Sequence, residues 1–286
     1  MYIISTKDLL KWVKIIEKKE RDIQSFYLFL DLSAGISKLK LNLLKIKHSD
    51  KILVKEDLNI LKKKWLHHKK TNKPIQYICK SSYWRDLKLE LTDKVLIPRV
   101  ETEQIVEIAF EILINNNESI IFAELGTGSG AISISLATLN KHWTGLATDI
   151  DKYALSIAKK NFQNVSNDSN LNFFSGNWWE PLINYSGRLD LVISNPPYIP
   201  IDVYKNLPSS VRDFEPMVAL CGGEDGLAHI REIISGAPKF LKKGGWIILE
   251  NHYDQSKKVK NLLKENGFES IKTINDFFGI GRFTIG

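Results

Sequence analysis

Apolar residues recur at three- and four-residue intervals from Thr6 to about Lys73, beginning with Leu9, Leu10, Val13 and Ile16, with no proline and a single internal Gly35. That period predicts several short helices packed as a small bundle. The stretch Lys73–Pro74–Ile75–Gln76–Tyr77 interrupts it, and residues 83–91 then alternate apolar with polar positions, as a half-buried strand does. This reads as a β-hairpin linker. The helical period returns over 102–114, and from Ser119 onward short apolar runs alternate with amphipathic stretches. Such alternation predicts a parallel sheet with helices on both faces, a doubly wound α/β fold. The expected strands are 120–125, 145–150, 171–175, 189–194 and 246–250, with 270–274 and 282–285 as a terminal pair. The expected domains are 1–75 (helical), 76–98 (hairpin linker) and 99–286 (α/β).

Composition narrows the class. In 286 residues, 43% are hydrophobic and 26% charged, a globular mix far from that of a disordered chain. No apolar run approaches the roughly 20 residues of a membrane span, and the apolar stretch 9–16 is broken by Lys11 and Lys14, which makes it a poor signal peptide. A cytoplasmic monomer is the expectation. Cys79 and Cys221 have neither CxxC spacing nor an adjacent histidine, and the six histidines show no ligand spacing, so no metal is expected. The net charge of +7 is unevenly spread: residues 1–80 carry 19 Lys and Arg against 8 Asp and Glu, whereas residues 81–286 carry 21 against 25. A basic N-terminal module can steer an acidic partner, nucleic acid or protein, although lysines on helix faces also serve simply to solvate them.

The expected strand 120–125 runs into Gly126–Thr127–Gly128–Ser129–Gly130, with a helix beginning near Ala131. Strand, glycine turn and helix together suit a nucleotide-type cofactor, because glycine admits close backbone approach and a helix start offers unpaired N–H groups. With Ala131 in the last place the loop also satisfies a permissive dinucleotide fingerprint. Asp149 ends the next expected strand 23 residues past Gly126, where a carboxylate can accept both ribose hydroxyls, or can act as an ordinary helix cap. Of the adjacent Trp178 and Trp179 only one can face a cofactor, since neighbours on a strand point opposite ways. Trp178 is the candidate, lying along an adenine.

Strand 189–194 empties into Asn195–Pro196–Pro197–Tyr198. These residue types suit methylation of a planar NH2 nitrogen whose lone pair is delocalised. Such a nitrogen needs two fixed acceptors for its two N–H bonds. The Asn195 side-chain oxygen and a backbone carbonyl of the Pro196–Pro197 segment can supply them, held still because proline locks φ. Tyr198 can stack on the flat substrate group. No base is needed beforehand, because the nitrogen becomes acidic once methylated. Hydride transfer has no use for this set, which favours S-adenosylmethionine over a dinucleotide.

With these residues in view, the chain resembles the bacterial release-factor glutamine methyltransferases, class I S-adenosylmethionine enzymes with a Rossmann-like sheet. Lys73–Pro74–Ile75–Gln76–Tyr77, Tyr83–Trp84, Leu96–Ile97–Pro98–Arg99–Val100–Glu101–Thr102–Glu103 and Arg212–Asp213–Phe214–Glu215–Pro216 carry the resemblance beyond the Asn–Pro–Pro–Tyr motif, which DNA and RNA adenine methyltransferases share. It implies N5-methylation of the glutamine in the GGQ motif of class 1 peptide chain release factors. Gly126, Thr127, Gly128, Ser129, Gly130, Asp149, Trp178 and Asn195 would hold the cofactor, and Asn195, Pro196, Pro197 and Tyr198 would grip the substrate. Nucleic acid would not be required. Glu124 would lie near the cofactor's methionine ammonium, with Arg99 and Glu103 shaping that end of the pocket. Three positions depart from the family pattern: Asn177 stands for Asp, Val100 for Pro and His252 for Gly. Adenine N6 methylation and a non-catalytic binding factor are the competing readings. Segment 199–226, rich in proline and weak in periodicity, is expected to form a wall or lid.

Overall fold

The computed structural model describes residues 1–46, 49–114, 119–165 and 170–286. They divide into two compact units, one of Met1–Ser82 with Ser209–Phe214, the other of Tyr83–Pro208 with Glu215–Gly286. Among the described residues no helix is long and apolar enough to cross a membrane.

The first unit is mainly helical. Helices Thr6–Lys19, Ile23–Ala34 and Leu58–Thr71 start at Ser5, Asp22 and Asp57, whose side chains each accept a first-turn N–H. Their apolar faces meet in an aromatic cluster: Trp12 packs edge-on to Phe26 with centroids 5.2 Å apart, and Trp65 lies 4.9 Å from Phe26 and 5.6 Å from Phe29. The bundle is not purely helical. Strands β1 (Tyr2–Ser5) and β2 (Lys51–Val54) pair antiparallel, with Ile4 opposite Ile52. The buried Ile4, Ile52 and Val54 add to the helical core. Each strand has four residues, too few to stand out from the surrounding helical period. Pro74 is followed by the short helix Ile75–Cys79. Ser209–Phe214 joins this unit through the Asn72 amide, which donates to Ser209, and through Lys73, whose ammonium lies over the Phe214 ring.

Strands β3 (Ser81–Trp84) and β4 (Leu87–Glu90) form the expected hairpin, and the boundary between the units falls within β3. The second unit is built on seven strands: β5 (Ile121–Leu125), β6 (Thr144–Asp149), β7 (Asn170–Ser175), β8 (Leu189–Ser194), β9 (Leu241–Glu250), β10 (Lys272–Asn275) and β11 (Gly281–Ile285). Their order is β10-β11-β9-β8-β5-β6-β7. Strands β9, β8, β5, β6 and β7 run parallel, while β11 enters antiparallel between β9 and β10. Apolar clusters cover both sheet faces: Phe122 of β5 joins the cluster around helix Gln104–Leu113, whereas Ala123 and Leu125 join that around helix Ala228–Phe240. Strand β9 starts five residues earlier than expected, because Leu189 pairs with Leu241 across an irregularity that accommodates Gly244 and Gly245. Glycines read as strand breakers in sequence, yet a bulge tolerates them.

Trp179 shows how closely this layer is packed. Its indole stacks on Phe240, with centroids 4.7 Å apart, and lies over the helical Gly236. A β-carbon at position 236 would fall 2.3 Å from Trp179 Nε1. Alanine normally gains about 1 kcal/mol over glycine inside a helix. Here the overpacking, about 1–3 kcal/mol, outweighs that gain, so Gly236→Ala is expected to melt at a lower temperature than the parent chain. A higher melting temperature by calorimetry would refute this packing.

Candidate functional site

Because β8, β5, β6 and β7 are neighbours and parallel, the loops leaving their carboxyl ends share one edge of the sheet. A cavity opens there, and its walls include Gly126, Gly128, Asp149, Trp178, Asn195 and Pro197. Thr127, Ser129, Gly130, Pro196 and Tyr198 do not line it.

The glycine loop is anchored from below. The Gly126 and Thr127 N–H groups both donate to the Thr148 carbonyl, at 3.0 and 2.8 Å. Gly126, Gly128 and Gly130 all take positive φ. At Gly130 a β-carbon would also press on Ile134 at 2.8 Å and Ala158 at 3.2 Å, whereas nothing lies within 4 Å of the corresponding point at Gly128. The loop therefore presents bare backbone to open space, as close approach to a bulky ligand requires. Thr127 turns inward: its hydroxyl donates to Glu124 Oε2 at 2.6 Å, and the Ser133 N–H reaches the same oxygen at 3.0 Å. Glu124 is thus a buried tie between strand, loop and helix, and it does not line the cavity.

Asp149 Oδ2 accepts the Gly128 N–H at 2.8 Å, and Oδ1 accepts the Asp151 N–H at 2.9 Å. Burial holds its carboxyl above the usual range, opposed by these bonds. Each oxygen retains a lone pair, so the group can still take two hydroxyl donors from the cavity. Trp178 sits on the wall in a left-handed backbone conformation (φ 38°), with its ring beside Gly126 and tilted against His229 at 5.5 Å. Strain of this kind in a bulky residue persists only where its surroundings hold it. The structure therefore puts Trp178 at the cavity, while Trp179, also half-buried, packs on Phe240 and Gly236. Open backbone, a ribose-ready carboxylate and a flat indole fit a nucleoside-bearing cofactor.

The departures from the family pattern find local explanations. The Asn177 amide donates to Glu232 Oε1 at 2.8 Å. An aspartate there would set two carboxylates against each other, so asparagine and Glu232 form a matched pair that leaves the amide oxygen as the spare acceptor. Val100 adopts φ −61°, the value proline would impose. His252 is absent from the positive-φ residues, so its loop does not call for glycine.

Arg99 and Glu103 are engaged elsewhere. Arg99 pairs with the buried Glu215 at 2.6 Å, tying together two of the signature segments, and Glu103 accepts the Arg85 N–H at 3.0 Å. Of the segment 199–226, Val218 and Ala219 contribute cavity wall. Among the described residues no group of three or more His, Cys, Asp or Glu could hold a metal.

Two residues given no role from sequence, Thr102 and Glu250, connect the motif to the rest of the sheet. The Asn195 amide donates to Thr102 Oγ1 at 3.2 Å, the Thr102 hydroxyl donates to Glu250 Oε2 at 2.7 Å, and the Tyr198 hydroxyl donates to Glu250 Oε1 at 3.1 Å. Burial and the neighbouring Glu250 push the Tyr198 phenol far above its ordinary value, so it remains protonated. Glu250, a charged residue closing the apolar run of β9, was the visible sign of this network.

Burial pushes the Glu124 carboxyl from 4.5 up to about 7, against the bonds from Thr127 and Ser133. Its stabilising contribution is fully present below the unfolded value and is lost as pH rises through the folded one. The ligand-free protein is therefore expected to lose stability from pH 4.5 to 7 at this site. Glu124→Gln, which can still accept both bonds, should flatten that slope in urea unfolding at stepped pH. A slope identical to the parent's would contradict this.

Comparison with known proteins places the geometry in a family. Residues 100–204 match the family model described as methyltransferase small domain. The chain is 37% identical to the release factor glutamine methyltransferase of Prochlorococcus marinus, over 98% of this chain and 96% of that protein. It is 33% identical to the one from Thermosynechococcus vestitus, over 94% and 92%. Among solved structures, the hMettl16 catalytic domain in complex with MAT2A 3'UTR hairpin 6 superposes with a TM-score of 0.59 at 16% identity, covering 94% of this chain and 92% of that one. That likeness speaks for the class I methyltransferase fold alone. By identity over nearly its whole length, this chain belongs to the release factor glutamine methyltransferase family.

Proposed function

We propose that this chain transfers a methyl group from S-adenosylmethionine to N5 of the glutamine in the GGQ motif of a class 1 peptide chain release factor. The observation that carries the reading is that Asn195 and Pro197 share one cavity wall with Gly126, Gly128 and Asp149. A group that can grip a planar NH2 thus faces the same space as the cofactor cradle. Bound S-adenosylmethionine supplies an electrophilic methyl on a sulfonium. The protein's task is to make a poor nucleophile attack it.

In this reading Asp149 takes the ribose hydroxyls, Trp178 lies along the adenine, and the loop from Gly126 to Gly130 lets the cofactor approach the backbone. The Asn195 side-chain oxygen accepts one glutamine N–H, and a carbonyl of Pro196 or Pro197 accepts the other. Two fixed acceptors draw the nitrogen away from planarity and toward the methyl. Tyr198, protonated and tied to Glu250, offers its ring rather than a base. Once the carbon–nitrogen bond has formed, the nitrogen is acidic and one proton leaves to water. Residues 1–75 would dock the substrate protein and 99–286 would carry out the transfer. Exposed Lys62, Lys63 and Lys70 on helix Leu58–Thr71 offer a basic face to an acidic release-factor surface.

The test offers radiolabelled S-adenosylmethionine with a class 1 release factor, its GGQ glutamine-to-alanine variant, and mixed nucleic acid. Label should appear on the intact release factor only. Label on nucleic acid alone would mean adenine methylation, and no label would mean a binding factor. Asn195→Ala should lower kcat by at least about tenfold, as loss of a preorganised hydrogen-bonding group does. Cofactor affinity by calorimetry should largely survive. Full activity in that variant would reject the role of its side chain.

A further inference from the structure

A carboxamide has two ends of nearly equal size and opposite hydrogen-bonding character, and rotation about its terminal torsion interchanges them at little cost. For Asn195 to grip a substrate NH2, its oxygen must face the substrate. With the amide reversed, NH2 would meet NH2 and the two donors would repel.

The network behind Asn195 decides between these ends. Glu250 is 1% exposed, and in its ionised form it can only accept. Burial, the largest influence, holds its carboxyl above the usual range, opposed by the Thr102 and Tyr198 hydroxyls and the charge of Arg282. Thr102, 5% exposed, has a single hydroxyl proton and gives it to Glu250 Oε2 at 2.7 Å. Its oxygen is then left as an acceptor, and at 3.2 Å it accepts from Asn195 Nδ2. The remaining Glu250 oxygen holds the Tyr198 hydroxyl at 3.1 Å, so one carboxylate orients both ends of the Asn–Pro–Pro–Tyr turn. Polarity passes in one direction, from a carboxyl group whose two oxygens both accept, through a one-proton hydroxyl, to the amide.

We propose that Thr102 and Glu250 are positioning residues that fix the Asn195 carboxamide with its oxygen toward the substrate. The proposal rests on the role given to Asn195 above and extends it to two residues that need not touch substrate or cofactor. Their arrangement also accounts for a buried carboxylate, costly in itself, at the end of β9.

The test is a double-mutant cycle on the full chain, using the release factor as substrate and calorimetry for S-adenosylmethionine affinity. Thr102→Val keeps the shape and removes the hydroxyl. It should lower kcat by about tenfold or more while KM and cofactor affinity stay within about threefold. Thr102→Ser, which restores the hydroxyl, should recover most of the turnover. Because Thr102 acts through Asn195, adding Thr102→Val to Asn195→Ala should cost little more, whereas an independent structural defect would add in full. Glu250→Gln can donate to Thr102 and turn its hydroxyl toward Asn195, so it too should lose kcat with cofactor affinity retained. Parental kcat in Thr102→Val, full additivity in the cycle, or loss of cofactor binding in both the Thr102→Val and Glu250→Gln variants would each overturn the proposal. An unsubstituted chain that fails to label the release factor would instead sink the functional reading beneath it.

Discussion

Parallel strands that end side by side force the loops leaving them into a narrow space, and the site of this protein is a consequence of that constraint. Adjacent strands lie about 4.8 Å apart, so the turns after β5, β6, β7 and β8 occupy one edge of the sheet whatever their sequences. The sheet order determines which chemistry meets which. With β5 between β8 and β6, the glycine loop stands between the Asn195 turn and Asp149. The proposed gripping of substrate and holding of cofactor therefore come from three neighbouring strand ends.

The polar groups beneath that edge serve it in two ways. Glu124 and Glu250 are both nearly inaccessible carboxylates at strand ends, each satisfied by hydroxyl donors. Glu124 accepts Thr127 and Ser133 and holds the glycine loop to the start of the following helix. Glu250 accepts Thr102 and Tyr198 and holds the Asn195–Tyr198 turn. A buried carboxyl group is a poor contributor to net stability, but where both of its oxygens accept, as in Glu250, it imposes a direction on the hydrogen bonds that reach it. That direction gives a rigid turn a defined chemical face.

Much of the second unit was legible because its central strands β5, β6 and β8 are buried on both faces and read as short apolar runs, β8 being the clearest. The turn residues Gly126, Asp149 and Asn195 were legible for a related reason: each closes such a run with a residue type that packing alone does not explain. Strands β1 and β2 escaped notice because four residues beside long helices carry no distinctive period. Arg99 and Glu103 lie in a stretch that drew attention, but Glu215 and Arg85 claim them. Glu215 is over a hundred positions from Arg99, a separation no local pattern spans. Asn177 looked like a defect in the family pattern until Glu232, on another element, supplied its reason.

By itself the sequence determined most of the elements of the second unit, the parallel character of the main sheet, the glycine loop and the Asn–Pro–Pro–Tyr turn, because hydrophobic period and turn chemistry are local properties. Only the tertiary structure decided that β11 inserts antiparallel beside β9, that Trp178 rather than Trp179 reaches the cavity, and that Thr102 and Glu250 stand behind Asn195. Those outcomes depend on which distant side chains compete for the same space and the same protons, and that competition exists only once the chain has folded.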